Sequence, residues 1–324
     1  MNRGIPKVSV IVPVYNCRET ILKCLNSLVA LEHPSFEVII VDDGSTDGTA
    51  EICEAFSQIR LIKLSRGGPS RARNTGISQA QGELIAFTDG DCVVDKRWLT
   101  ELESAFDGPE IVGVGGDQRS PDDETMMGSR IQEFLKQIGF MTGYIKTASI
   151  MQETEHNPSC NAMYRKAVLE EVGGFDEALF PGEDVELDLK LRRRGWRLIY
   201  NPAAVVSHYR PKNYTDFAAM MRRYGASQRY LVKKYGFFRR LHFVPPILAA
   251  SLVLLIAAII WRPEIWPIVV LAGLVVPVWF CVKTKRFGKA LRFSYLFLLT
   301  VVSWNLGFLG GYISMTESKR ELNQ

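Results

Sequence analysis

The chain has 324 residues, 39 Lys and Arg against 35 Asp and Glu, and a formal net charge of +4. That length exceeds one average domain, and the modest net charge, with its basic residues gathered around apolar segments, gives no support to a nucleic-acid partner. The cysteines (Cys17, Cys24, Cys53, Cys92, Cys160 and Cys281) are scattered without a C-x-x-C pair, so they read as reduced thiols rather than a disulfide framework or a zinc site.

Met1-Asn2-Arg3-Gly4-Ile5-Pro6-Lys7 carries no apolar run of signal-peptide length, so the first domain is expected in the cytoplasm. Val8–Val14 is a short β-branched run of the kind buried on both faces of a sheet. A helical pattern follows (Ile21, Leu22, Leu25, Leu28, Val29), then a strand over Glu37–Val41 and a turn at Asp42-Asp43-Gly44-Ser45. A helix over Thr49–Phe56, a strand over Ile59–Leu64, a helix over Ser70–Gln79 and a strand over Leu84–Phe87 complete the pattern. Such β-α alternation predicts an open, mostly parallel α/β sheet, which binds ligands beyond the carboxyl ends of its strands.

That rule gives the polar residues a shared location. Pro13-Val14-Tyr15-Asn16 closes the first strand, Asp42 and Asp43 the second, and Asp89 and Asp91 follow the fourth. Carboxylates gathered at one sheet edge repel each other, and a divalent cation with oxygen preference, Mg²⁺ or Mn²⁺, relieves the repulsion. Arg71 and Arg73 at a helix start suit phosphate contacts. Each piece alone is an ordinary turn or cap; their placement at successive strand ends is what points to a diphosphate site.

Later in the chain, Met126–Ile145 has an apolar stripe that fits either an interfacial helix or one packed on the sheet. Glu183-Asp184 opens a helix expected to run to about Arg194 and to stop at Gly195. Carboxylates at a helix start are also simply favourable helix chemistry. Tyr214–Tyr235 is basic and suits a membrane surface with anionic headgroups. Three stretches, His242–Trp261, Ile265–Val282 and Leu291–Ser314, approach the ~20 apolar residues that cross a bilayer. Lys233, Lys234, Arg239 and Arg240 before the first, and Lys283, Lys285, Arg286, Lys289 and Arg292 between the later ones, mark cytoplasmic sides; Lys319 and Arg320 then fall outside, against that rule. Gly307, Gly310 and Gly311 suggest close helix packing. The expected organisation is a catalytic domain at 1–212, a juxtamembrane segment at 213–241 and a transmembrane domain at 242–324.

The segments VSVIVPVYN (Val8–Asn16), VDDGSTDGT (Val41–Thr49), SRARNTG (Ser70–Gly76), FTDGDC (Phe87–Cys92), CNAMYRK (Cys160–Lys166), GGFDE (Gly173–Glu177), GEDVELDLKLRRRGW (Gly182–Trp196) and VVSHYR (Val205–Arg210) together resemble the inverting glycosyltransferase family 2, with its GT-A fold. The resemblance runs from about Pro6 to Arg210, and the membrane tail resembles members that build exopolysaccharides or lipid-linked glycans. It implies a hexosyl transfer from a nucleotide-sugar donor, with UDP the first expectation and GDP or dTDP the alternatives. Pro13, Tyr15 and Asn16 are implied to line the nucleotide pocket, with Asp43 bonding the base and Arg71, Arg73 and Asn74 nearby. Asp89 and Asp91 form the D-x-D motif, with Asp91 the preferred metal ligand. His208 resembles a late metal-side histidine, although a lone His after a strand also suits a structural role. Asn161 is implied to lie near the donor sugar.

Inverting transfer to a hydroxyl needs a general base, and the resemblance implies Asp184, with Glu183 as second candidate. A phosphate acceptor, as in a polyprenyl-phosphate glycosyltransferase, has little need of one, so the pair favours a hydroxyl on a lipid-linked or growing glycan. The Q-x-x-R-W sequence of processive members is absent, and Arg194-Gly195-Trp196 is only superficially similar, which favours single additions. A non-catalytic scaffold would show a broken D-x-D or base pair; both are intact. Membrane lipids are expected partners, and homo-oligomerisation is left open.

Overall fold

The computed structural model describes residues 7–142 and 148–310, in two compact units that divide between Arg210 and Pro211. The expectations for the N-terminal leader, Ile145, Gly311, Ser314, Lys319 and Arg320 lie outside the described residues.

The first unit opens with β1 (Val8–Val14), α1 (Ile21–Val29), β2 (Phe36–Asp42), α2 (Thr49–Glu54), β3 (Arg60–Lys63), α3 (Pro69–Gln79) and β4 (Leu84–Phe87). These β-α units pair in parallel in the order β3-β2-β1-β4, with Val12 beside Ile40 and Ile11 beside Phe87. The run Val8–Val14 is wholly buried because its side chains alternate between two cores. Val8, Val10, Val12 and Val14 join α1 through Ile21, Leu25 and Leu28, while Ile11 faces Ala72 and Ile77 of α3. Gly76 is what lets α3 come this near: a Cβ there would collide with Ile11.

Beyond β4 the alternation stops. The chain continues through β5 (Cys92–Val94), α4 (Trp98–Glu103), β6 (Ile111–Arg119), α5 (Met126–Thr142), β7 (Gln152–Glu153), β8 (Ala162–Arg165), α6 (Lys166–Glu171), α7 (Glu183–Arg193) and β9 (Arg197–His208). The sheet extends as β4-β8-β6-β9-β5, with β7 on β9; β8 is antiparallel to β4 and β6, and β5 and β7 are antiparallel to β9. The result is a mixed, mostly parallel sheet covered by helices on both faces. Antiparallel pairing of β5 with β9 sets Cys92 opposite His208, which brings the late histidine to the D-x-D turn. In α5 the stripe Ile131, Phe134, Leu135 and Ile138 is buried, so the helix is a packed one.

The second unit holds α8 (Tyr214–Tyr235), α9 (Val244–Trp261), α10 (Trp266–Gly273), α11 (Val275–Thr284) and α12 (Phe287–Gly310). Asn213 caps α8 by accepting the Asp216 N–H at 2.8 Å. Among the described residues two helices are long and apolar enough to cross a membrane, Arg240–Trp261 and Phe287–Gly310. The expected middle span is instead two short helices, α10 and α11. The break falls at Gly273-Leu274, four residues before Pro277, which supplies no N–H to Gly273 and crowds its carbonyl. The basic helix α8 is not left free: it packs along α12 where Gly225 meets the Trp304 carbonyl and Gly307 meets the Arg222 carbonyl. Arg229 also donates to the Phe308 carbonyl at 3.2 Å. Leu at position 225 or 307 should force these backbones apart and cost about 1–3 kcal/mol by overpacking. Thermal unfolding of the solubilised chain should therefore show lower midpoints for Gly225→Leu and Gly307→Leu. Gly310→Leu should leave the midpoint unchanged, since nothing lies within 4 Å of a Cβ there.

Candidate active site

The carboxyl ends of β1, β2 and β4 converge with the start of α7 and the end of β9, and polar side chains from each meet there. Asp43 accepts the Gly67 N–H at 2.6 Å on one oxygen and the Gly68 N–H at 2.7 Å on the other. It thereby fixes the loop that leads into α3, where Gly68 has φ +100° and Pro69 takes the first helical position. Asn16, at φ +50°, knits β1 to the next loop through Ser45 Oγ at 3.0 Å and the Thr46 N–H at 2.9 Å. Pro13 lies inside β1 beside Val41. Tyr15 is at the surface with the Arg66 guanidinium 3.1 Å over its ring.

The arginines of α3 separate. Arg71 stays near the surface and donates to the Ser65 carbonyl at 3.3 Å. Arg73 is only 2% exposed and donates to Asp89 Oδ1 at 2.8 Å and Glu183 Oε1 at 2.7 Å. It thus bridges the D-x-D turn and the start of α7 instead of standing open for phosphate. Burial works against its charge, but Asp89 and Glu183 more than offset that and raise its pKa. Asn74 is spent on the turn before α7: it accepts the Phe175 N–H at 2.9 Å and donates to the Phe175 carbonyl and Glu177 Oε1, both at 2.9 Å. Asn161 is wholly buried; it accepts from Trp98 Nε1 at 2.8 Å and donates to the carbonyls of Asp117 and Ala204 at 2.9 Å. With its side-chain amide bonded to three partners, it ties β6, β9 and α4 together.

At the D-x-D turn, Asp91 Oδ1 lies 3.4 Å from His208 Nε2, and the Asp91 side chain is part-exposed. Burial lowers the His208 pKa, but the facing Asp91 outweighs it and lifts the value to about 10. Asp91, against its own desolvation, is held below the usual carboxylate range by His208. An open carboxylate and an imidazole facing the same point fit Mg²⁺ or Mn²⁺, and Asp89 stands two residues before Asp91, across Gly90. Cys92, Cys160 and His208 bring their donor atoms within 4.8 Å of one another, a grouping invisible in the cysteine spacing. The hydrogen bond from Cys92 draws the Cys160 thiol down to about 6 despite its burial.

On the opposite side, Gly182 at φ +98° turns the chain into α7, whose first turn carries Glu183, Asp184 and Glu186 and whose last carries Lys190, Arg192 and Arg193. This distribution complements the helix dipole. Glu183 is buried, and desolvation, with the neighbouring Asp184 charge, pushes its pKa up to about 8 against the pull of Arg73. The Asp184 side chain is 18% exposed and accepts the Ser159 N–H at 3.3 Å on Oδ2. It is therefore the carboxylate of the pair that a substrate hydroxyl can reach. Behind it lie two residues that the sequence pattern did not single out. Asp188, one turn along α7, is wholly buried and accepts from His156 Nδ1 at 2.8 Å, the Asn157 N–H at 2.7 Å and Tyr164 Oη at 2.9 Å. The i, i+4 spacing of Asp184 and Asp188 on one helix was the available signal; for His156, in an irregular stretch, there was none.

The sequence model described as "Glycosyl transferase family 2" matches residues 9–173. The chain belongs to glycosyltransferase family 2. This family 2 enzyme is 33% identical over 217 residues to the glycosyltransferase AglE of Haloferax volcanii, covering 64% of the chain and 68% of AglE. It is 33% identical over 230 residues to the O-antigen biosynthesis protein RfbC of Myxococcus xanthus, an alignment that covers 64% of the chain but only 18% of RfbC. Among solved structures, the mannosyltransferase PcManGT of Pyrobaculum calidifontis, determined with GDP-Man and Mn²⁺, shares its fold at a TM-score of 0.68 and 21% identity. That match covers 94% of this chain and 87% of PcManGT. The protein is thus a glycosyltransferase.

Removing the charge of Arg73 leaves the buried Glu183 and the part-exposed Asp89 without their shared partner. Arg73→Ala is expected to cost about 3–5 kcal/mol of stability, as for other broken buried pairs. Arg73→Lys, which cannot fork to both partners, should recover only part of this. Denaturant midpoints of the solubilised chain measure the difference; an unchanged midpoint for Arg73→Ala would remove the bridge from the stability account.

Proposed function

We propose that this glycosyltransferase moves one hexose at a time from a nucleoside-diphosphate sugar, UDP-linked in the first instance, to a hydroxyl of a lipid-linked or growing glycan at the cytoplasmic face of a membrane. The observation that carries this reading is the Arg73 bridge. One guanidinium holds Asp89 of the D-x-D turn and Glu183 of α7, so the diphosphate side and the base side stand a single side chain apart. Asp184, next to Glu183 and accessible, takes the proton as the acceptor oxygen attacks the anomeric carbon, and the nucleoside diphosphate leaves on the other face. A divalent cation, Mg²⁺ or Mn²⁺, would be held by Asp91 and His208 with Asp89 in support, and would supply charge neutralisation for the diphosphate. The GDP-Man and Mn²⁺ bound to PcManGT support a cation and make GDP-mannose one of the donors to test.

The membrane part of the proposal rests on the two long apolar helices and on the Lys and Arg residues that flank them. A hydroxyl acceptor rests on the presence of a reachable base. Full-length protein in detergent, supplied with membrane lipid extract and Mn²⁺ or Mg²⁺, should release nucleoside diphosphate from one member of a panel of UDP-, GDP- and dTDP-sugars. Asp184→Asn should cut that rate by ~10²–10⁴, the usual worth of a positioned base, and Asp91→Ala should abolish its metal dependence. Full activity in Asp184→Asn would overturn the base and make a phosphate acceptor, as in a polyprenyl-phosphate glycosyltransferase, the better reading.

A further inference from the structure

Resting on the assignment of Asp184 as the base, we propose that His156 is a second proton station: it receives from Asp184 the proton that Asp184 takes from the acceptor, and Asp188 holds it in the form that can do so.

The tautomer follows from what surrounds the ring. Asp188 accepts the Asn157 N–H, the Tyr164 hydroxyl and His156 Nδ1. A buried carboxylate with three donors aimed at it is acting as an acceptor, so the proton of the neutral imidazole sits on Nδ1 and Nε2 carries the lone pair. That nitrogen is buried and has no hydrogen-bond partner among the described residues. Among the described residues the titratable groups facing the ring are Asp184 and Asp188 of α7, with Tyr164 of β8 bonded to the latter; Asp184 Oδ2 stands 3.8 Å from Nε2. This is too long for a hydrogen bond between a carboxylate and a bare nitrogen, and no such bond is expected while neither holds a proton between them. Once Asp184 is protonated, its O–H becomes a donor and Nε2 is the acceptor in line, after the small closure that catalytic hydrogen bonds commonly make on substrate binding. A buried acceptor left unsatisfied is costly, and an apolar side chain would fill the same space without that cost. A lone pair kept ready for a proton gives the arrangement a use.

The step balances. The acceptor O–H bond breaks as its oxygen bonds the anomeric carbon, and the bond from that carbon to the diphosphate oxygen breaks with the electron pair leaving on the diphosphate. The proton passes to Asp184, then from Asp184 Oδ2 to His156 Nε2. The resulting imidazolium is paired with Asp188 until product release lets the proton return to water. The base is thereby ionised again for the next turnover.

His156→Asn is the informative variant, because an amide at the Nδ1 position still donates to Asp188 while Nε2 is gone. With full-length protein in detergent and the sugar nucleotide that wild type turns over, its kcat for nucleoside diphosphate release should fall about 10- to 100-fold, part of what a complete acid-base group is worth. Donor KM, donor affinity by calorimetry and the thermal midpoint should stay at wild-type values. A kcat within twofold of wild type, or a loss matched by weaker donor binding or a lower midpoint, would overturn the proposal. A second measurement avoids substitution: with only four histidines in the chain, ¹⁵N spectra of the imidazoles should show His156 protonated on Nδ1, and protonation on Nε2 would equally overturn it. Asp184→Asn run alongside separates the two claims. If it is inactive while His156→Asn is normal, only the relay fails; if it is active, the base assignment fails and the relay with it.

Discussion

Arg73 brings a permanent charge into a place that water scarcely reaches, and desolvation of that charge has to be answered by partners at fixed positions. Asp89 and Glu183 supply the answer, and in doing so they are no longer free to move apart. The constraint propagates backwards into the fold. Arg73 projects correctly only if α3 starts where it does, and that start is set by Asp43 gripping Gly67 and Gly68, by the positive φ of Gly68 and by Pro69. The lateral position of α3 is set by Gly76 against Ile11 of β1. Arg73 and Glu183, 110 positions apart in sequence, are thereby joined.

The sheet divides the work. Parallel β-α units on one side of β4 deliver strand ends and the loops that follow them, the location at which open α/β sheets bind ligands. The antiparallel additions β8, β9 and β5 bring in what the parallel half lacks: His208 opposite Cys92, and the segment before β8 that carries His156 and Ser159 to the N-terminal end of α7. The two carboxyl groups at that end then differ by environment alone. Glu183 is sealed in beside Arg73, and Asp184 remains within reach of a substrate.

How much of this was legible in the sequence follows the range of the interactions. Continuous β-branched runs such as Val8–Val14, the Asp-Gly-Asp turn after Phe87 and the carboxylates after Gly182 are local patterns, and local sterics and helix chemistry fix them. Asp89, Asp91 and Asp184 stand out because their immediate neighbours mark them. Arg73, Asn74 and Asn161 look like ligand-binding groups by residue type, yet Arg73 and Asn161 are buried, and what each residue bonds is decided by partners more than 15 residues away. Position along a helix does not reveal that. The grouping of Cys92 and Cys160 with His208 depends on an antiparallel pairing that β-α alternation gives no reason to expect. The composition of the middle apolar stretch is blind to Pro277, whose missing N–H faces the carbonyl of Gly273.

The proposed reaction is a single displacement in which Asp184 deprotonates a hydroxyl while the diphosphate departs from the opposite face. The stereochemistry of the transferred sugar tests it most directly. With an identified donor and acceptor, proton NMR of the first-formed product should show the anomeric configuration inverted relative to the sugar nucleotide. Retention would require a second displacement or a front-face route, and would contradict both the base role of Asp184 and the geometry argued from the Arg73 bridge.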